Sequence, residues 1–223
     1  NVRILTWKKE FNYSAINNFA VREARGEYLL FLNNDVEIIT ENWLEEMLQL
    51  CQQKDVGMAG AKLYYPDDTI QHAGVVVGLG GVAAHVLCKL PRDAEGYMGR
   101  LRCVQEISAV TAACMMVKTS VFKAVGGFDE ELKVAFNDID LCMKVRKYGV
   151  KIVFTPYAEL YHYESKSRGM EDTPEKQLRF SREVNCFRRK WERELLKGDP
   201  YYNPNLTLNN TDCSLRKQEK NGD

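Results

Sequence analysis

The sequence has no surplus of charge: 31 basic residues stand against 31 acidic ones, for a formal net charge of zero. A protein that neutralises many phosphates of a nucleic acid normally carries a basic excess, so no nucleic-acid partner is expected. Long apolar runs are missing too. The longest, Ala73 to Leu87, is interrupted by Gly78, Gly80, Gly81 and His85, and a bilayer span needs roughly 18–20 apolar residues. No internal repeat is visible. None of the seven cysteines pairs as CxxC, and Cys88, Cys103, Cys114 and Cys142 lie within or beside apolar segments. That pattern excludes a zinc or disulfide framework and leads to the expectation of buried, reduced thiols in a cytoplasmic protein. What is present is ordinary globular composition, 45% hydrophobic and 28% charged over 223 residues. That is enough chain for one α/β domain with an appendage.

Periodicity and punctuation predict an alternation of elements. Val2 to Thr6 is β-prone, and Phe11 to Arg25 carries apolar residues near helical spacing with Gly26 as a stop. Tyr28 to Asn33 is a continuous apolar run, expected as a strand buried on both faces. Thr40 is placed to cap a helix over Glu41 to Gln52. Val56 to Tyr65 and Ile70 to Val77 read as strands around a Pro66-Asp67-Asp68 turn, and Gly78 to Gly99 as a long loop. A strand over Ala109 to Val117 precedes helices at Thr119 to Val125 and Asp138 to Tyr148. Strands at Lys151 to Thr155 and Ala158 to His162, split by Pro156, lead to a helix over Thr173 to Leu196 with Phe180, Val184, Phe187, Trp191 and Leu195 on one stripe. The fold class expected is α/β, a mixed and largely parallel sheet flanked by helices, with a C-terminal helix and irregular tail. The division expected is a main domain over residues 1–168 and a helix with tail over 169–223.

Ligands of open α/β sheets gather at the carboxyl ends of strands. Asp35 follows such an end, and Asn33, two residues earlier, projects to the same side. A carboxylate there suits a hard divalent cation, although Asn and Asp are also ordinary turn formers. Asp138 opens a helix, where backbone N–H groups favour a carboxylate that could act as a general base. The bland alternative is capping, with an i,i+4 ion pair between Asp140 and Lys144. His162 ends a strand among hydroxyls and is a candidate metal ligand, while Lys166 and Arg168 follow in a loop suited to clamping phosphates. Gly78 to Ala83 matches the dinucleotide fingerprint G-x-G-x-x-A but lacks a well-placed acid, so a nicotinamide-dependent dehydrogenase is a lesser reading. The basic residues of the last helix form either a solvated face or a peripheral contact with anionic lipid.

In order, Phe31-Leu32-Asn33-Asn34-Asp35, Thr111-Ala112-Ala113-Cys114-Met115, Gly126-Gly127-Phe128-Asp129-Glu130, Asn137-Asp138-Ile139-Asp140-Leu141 and Pro156 with His162 and Ser165 resemble the family 2 glycosyltransferases. The resemblance covers about residues 11–168. It implies an A-type nucleotide-diphospho-sugar transferase fold and inverting transfer from a nucleotide-sugar donor to a saccharide or lipid-linked acceptor, in cell-surface polysaccharide or O-antigen synthesis. It implies Mn²⁺ or Mg²⁺ held by Asp35, with Asn33 where the family has an acid and His162 completing the set. Asp138 becomes the base, preceded by Asn137 in place of Glu. Asn34, Ala112, Ala113, Gly127 and Asn137 fall in the region shaping the donor and acceptor pocket. Family members place further βα units ahead of Asn33. At about 30 residues per unit, roughly 60–100 residues of a nucleotide-binding part are expected to be missing, supplied by an upstream segment or by self-association. The competing class is a non-catalytic glycan-binding or assembly module with a glycosyltransferase-like half domain.

Overall fold

The computed structural model describes residues 2–164 and 173–217. Its elements in chain order are α1 (Tyr13–Glu23), β1 (Tyr28–Leu32), β2 (Val36–Ile38), α2 (Trp43–Cys51), β3 (Val56–Tyr64), β4 (Ile70–His72), β5 (Val75–Val77), β6 (Ala83–His85), β7 (Gln105–Glu106), β8 (Cys114–Lys118), α3 (Thr119–Ala124), α4 (Asn137–Tyr148), β9 (Lys151–His162) and α5 (Pro174–Lys197). The main sheet runs β1-β8-β3-β9-β2, with β4 added to β3 and β7 to β9, while β5 and β6 form a separate hairpin. The sheet is mixed and flanked by helices, as expected. The expected parallel majority is not there: β3 and β9 run parallel at its centre, and the other pairings are antiparallel.

The strand buried on both faces is β3, with every residue buried. It lies between β8 and β9, so one apolar face meets α2 and the other meets α4, where Cys142 touches Met58. The run at Tyr28 to Leu32 instead alternates, and Leu32 at its end is 41% exposed, because β1 occupies one edge of the described sheet. On one face Trp43, Met47, Leu50 and Cys51 of α2 pack over Ala59, Ala61, Leu63 and Leu160. The other core joins Phe31, Phe122 and Phe128 to Leu141, Phe154, Phe187 and Trp191, and takes in Tyr202, Leu206 and Cys213 of the tail. Each fully buried Leu, Phe or Met contributes about 1.5–3 kcal/mol, so the last helix and tail share the stability of the sheet.

Several local expectations are corrected by packing. Residues 2–6 form no strand and are exposed apart from their continuation at Trp7. Thr40 caps nothing: its hydroxyl accepts from the Glu159 N–H (3.2 Å), and α2 begins at Trp43 after an Asn42 that makes no side-chain cap. Ile70 to Val77 is two strands, because the chain turns at Gly74 (φ +102°), where a Cβ would collide with Ile107. Residues 109–113 fall outside β8, whereas Pro156 sits within a single long β9 at a register shift against β3. All seven cysteines are free. Cys103 is exposed, not buried as expected, while burial pushes the Cys51 and Cys114 thiols up to about 12. Among the described residues, no helix is long and apolar enough to cross a membrane.

Candidate active site

Asn33 and Asp138 meet at one short segment, and Asp35 follows two residues after the first. Val36 pairs with His162 at the end of β9, and the Tyr163 N–H donates to the Asp35 carbonyl (2.8 Å), so Asp35 is delivered beside the imidazole. Asn33 extends β1 past its last strand residue by donating its N–H to the Ala113 carbonyl (2.9 Å). One residue earlier, the Ala112 N–H donates to Asp138 Oδ2 (3.2 Å), while Asp138 Oδ1 accepts from the Ile139 N–H (2.8 Å). The buried Ala112-Ala113 step therefore holds Asn33 with one residue and Asp138 with the next. Tyr13 closes the same segment by donating its hydroxyl to the Ala112 carbonyl (3.1 Å). Burial, with the negative charge of Asp138 as a second cause, raises its phenol well above the usual value.

The protons at His162 can be placed. Gln71 Nε2 donates to the His162 carbonyl (3.1 Å), which can only accept, so Gln71 Oε1 is the atom facing His162 Nδ1 at 2.7 Å. Nδ1 must then carry the hydrogen. Burial lowers the pKa of His162 despite the opposing Asp35 and Glu164 charges, so the ring is neutral at pH 7 and Nε2 presents a lone pair. That lone pair receives the Asn33 amide (3.1 Å) and stands 3.3 Å from Asp35 Oδ1. Asp35 Oδ1 is buried and no hydrogen bond reaches it. An unpartnered buried carboxylate oxygen beside an imidazole nitrogen is unfavourable alone, and a shared cation that took the lone pair from the Asn33 amide would satisfy both. The donor set is one oxygen and one nitrogen, with no third His, Cys, Asp or Glu in the cluster among the described residues. The residues fit a divalent ion whose remaining ligands come from substrate or solvent.

Other expected site residues are placed differently. Asn34 is exposed on the turn between β1 and β2. Asn137, expected in the pocket, is 3% exposed, and its amide donates to the Val134 carbonyl, so it closes the loop before α4. Gly127 (φ +67°) is a packed turn against Asn18 and Phe122, not a pocket wall. Asp138 is not a cap either; α4 is preceded by Phe136 at φ +61°, held by stacking on Phe180 and Phe187. The Asp140–Lys144 pair is present at 3.3 Å, but Asp140 is fully buried and also accepts from Trp191 Nε1 (2.8 Å) and pairs with Lys190 (2.7 Å). Lys166 and Arg168 lie outside the described residues. The glycine fingerprint opens no helix: Leu79–Gly81 is a single tight turn followed by β6, which removes the geometry a dinucleotide site needs. On α5, Arg188 donates to the Gly81 carbonyl and Lys190 pairs with Asp129 (2.6 Å), so part of the basic face reserved for lipid is spent within the protein.

Gln71 and the His72–His85 pair were not anticipated as parts of the site. A glutamine carries no reactive signature, and its partner lies 91 positions away.

The fold is that of solved glycosyltransferases. A mannosyltransferase from Pyrobaculum calidifontis, solved with GDP-Man and Mn²⁺, superposes with a TM-score of 0.54 at 15% identity, covering 83% of this chain and 45% of the other. GalNAc-T7, solved with UDP, GalNAc and Mn²⁺, gives a TM-score of 0.59 at 13% identity, covering 85% and 36%. The sequence profile of the glycosyltransferase-like family matches residues 1–183, and the chain belongs to that family. It is 56% identical over 215 residues to the uncharacterized protein y4gI of Sinorhizobium fredii, covering 96% of this chain and 24% of that protein. The O-antigen biosynthesis protein RfbC of Myxococcus xanthus is 42% identical over 220 residues, covering 98% and 17%. The chain thus spans about a quarter or less of the length of these relatives.

Proposed function

We propose that this chain carries a sugar-transfer centre: Asp35 and His162 face the donor, a nucleotide-diphospho-sugar, and Asp138 faces the acceptor, a saccharide or lipid-linked saccharide of cell-surface polysaccharide synthesis. The observation that carries the reading is the convergence on the buried Ala112-Ala113 step: Ala113 fixes Asn33, two residues before the Asp35 that lies beside a neutral imidazole, and Ala112 fixes Asp138, whose carboxylate is clasped by amides. The acceptor hydroxyl gives its proton to Asp138 as its oxygen bonds to the anomeric carbon, and the bond from that carbon to the diphosphate breaks on the opposite face. The outcome is inversion. Both Asp138 oxygens are fixed by backbone N–H groups, so the base needs no reorganisation when the hydroxyl arrives. Asp35 and His162 would hold Mn²⁺ or Mg²⁺, which when bound neutralises charge on the departing diphosphate. Gln71 keeps the His162 lone pair aimed at Asp35, and Asn33 limits the motion of that ring. A cytoplasmic setting accords with seven unpaired thiols, which persist where the compartment is reducing.

The test is calorimetric titration of UDP-, GDP- and dTDP-sugars with and without Mn²⁺. The proposal expects metal-dependent binding to one nucleotide class, lost in Asp35→Ala. Binding to none of them, or binding indifferent to the metal and to Asp35, contradicts it.

A further inference from the structure

His72 and His85 form a second imidazole arrangement beside the site, and its protons can also be placed. His72 is fully buried on β4, and its Nε2 receives the Thr111 N–H at 3.4 Å. A backbone N–H can only donate, so Nε2 carries the lone pair. Burial, with His85 and then His162 as smaller causes, lowers the pKa of His72 well below its usual value, so the ring is neutral and its hydrogen is on Nδ1. His72 Nδ1 lies 2.8 Å from His85 Nδ1. The His72 hydrogen therefore points at His85, whose Nδ1 must accept. Burial lowers His85 as well, against the raising influence of Asp138 and Glu164, so it too is neutral and holds its hydrogen on Nε2.

That Nε2–H has no protein partner among the described residues, and His85 is only half-buried. The Asp138 carboxylate is its strongest charged neighbour. Thr111, which sets the first proton, immediately precedes the Ala112 that holds Asp138. The loop bearing His85 is fixed from outside by the tail: the Val77 N–H donates to Asp199 (2.8 Å), Gly80 to the Leu208 carbonyl (2.8 Å) and Leu87 to the Thr211 carbonyl (2.6 Å).

We propose that His85 is a substrate-binding donor, presenting Nε2–H to a hydroxyl or ring oxygen of the saccharide bound beside Asp138, and that His72 is the positioning residue that keeps it in that tautomer. This rests on the acceptor side of the proposed function. A neutral imidazole with a fixed N–H recognises an oxygen without competing with Asp138 for a proton. Exchange between tautomers would present a lone pair to the same hydroxyl for part of the time. The ring chain from Thr111 removes that alternative.

The experiment is a long-range ¹H–¹⁵N correlation spectrum of the histidine rings of the full chain, followed by titration with methyl glycosides of glucose, galactose, mannose and rhamnose. The wild-type chain is expected to show His72 protonated on Nδ1 and His85 on Nε2. At least one glycoside should shift the His85 Nε2–H. His85→Ala should weaken binding of that glycoside, followed at the Ala112 amide, about 3- to 10-fold, the range of one neutral hydrogen bond. His85→Gln, which restores an N–H, should recover most of the loss. In His72→Phe the His85 tautomers should mix. Wild-type His85 protonated on Nδ1, no response of Nε2–H to any of the four glycosides, or equal glycoside affinity in His85→Ala overturns the inference. If both histidine results hold and nucleotide-sugar binding fails, it is the transfer reading that falls.

Discussion

At the scale of single residues, the site is governed by groups whose hydrogen-bonding role admits one choice. A backbone carbonyl orients Gln71, Gln71 orients His162, and the Nε2 that accepts the Asn33 amide faces Asp35. Replacing Gln71 by Leu removes that constraint while leaving both candidate ligands in place. Mn²⁺ affinity of the full chain, measured by calorimetry, is expected to fall about 10–100-fold, the usual cost of losing a partner to a metal-bound histidine. Buried neutral histidines also tie stability to pH. The His72 pKa is lowered from its ordinary 6.5, so the unfolded chain binds its proton first. That stability is present above pH 6.5 and lost as pH falls below it. Urea unfolding at pH 7.5 and 5.5 should show the lower stability at pH 5.5, and His72→Asn should reduce the difference between the two. Asp35, Asp138 and His162 stand out as candidates in the sequence because acids and imidazoles at strand and helix ends point to chemistry, and the fold sets Asp35 beside His162. Gln71 and His85 were not, because their roles are set by partners brought together only by the fold.

At the scale of elements, α5 is docked by charge as much as by apolar contact. Asp140, fully buried in α4, receives Trp191 Nε1 and Lys190 from α5 and Lys144 from its own helix. Glu183, also buried, accepts the Val134 and Ala135 N–H groups (3.0 and 2.9 Å) and so braces the loop that leads into Asp138. Asp140→Ala leaves the buried Trp191 N–H without its acceptor and removes a counter-charge from Lys144 and Lys190, and should cost about 1–3 kcal/mol, read from the shift in the urea midpoint. Asp140 does not touch the proposed substrates, so the surviving folded fraction should keep its metal affinity. The stripe Phe187 and Trp191 was visible in the heptad-like spacing, and α1, α3 and α4 fall within a few residues of where their periodicity puts them. The strands were less legible. Ile70 to Val77 looks continuous until Ile107 is packed over Gly74, and Tyr28 to Leu32 looks central until its position at one edge is known. Hydrophobicity along a strand reports burial but not its neighbours, which is also why a mainly antiparallel sheet read as a parallel one.

At the scale of the whole molecule, the mixed sheet gathers the ends of β1, β4 and β9 and the start of α4 around residues 111–113. Each supplies one part: Asn33 and Asp35, Gln71 and His72, His162, and Asp138. The tail then closes over the loop that carries His85. The zero net charge is compatible with a nucleotide diphosphate, because the positive charge that such a ligand needs would come from a metal and not from a basic surface. The central claim is that the carboxylate clasped by Ala112 and Ile139 accepts the proton of an attacking hydroxyl. The most direct measurement is sugar transfer to a saccharide acceptor from the donor that binds, with Mn²⁺, by the chain and its Asp138→Asn variant. The account predicts a fall of about 10²–10⁴-fold in turnover, with donor affinity unchanged because Asp138 is not one of the residues proposed to face the donor. Turnover near the wild-type rate in Asp138→Asn would contradict it.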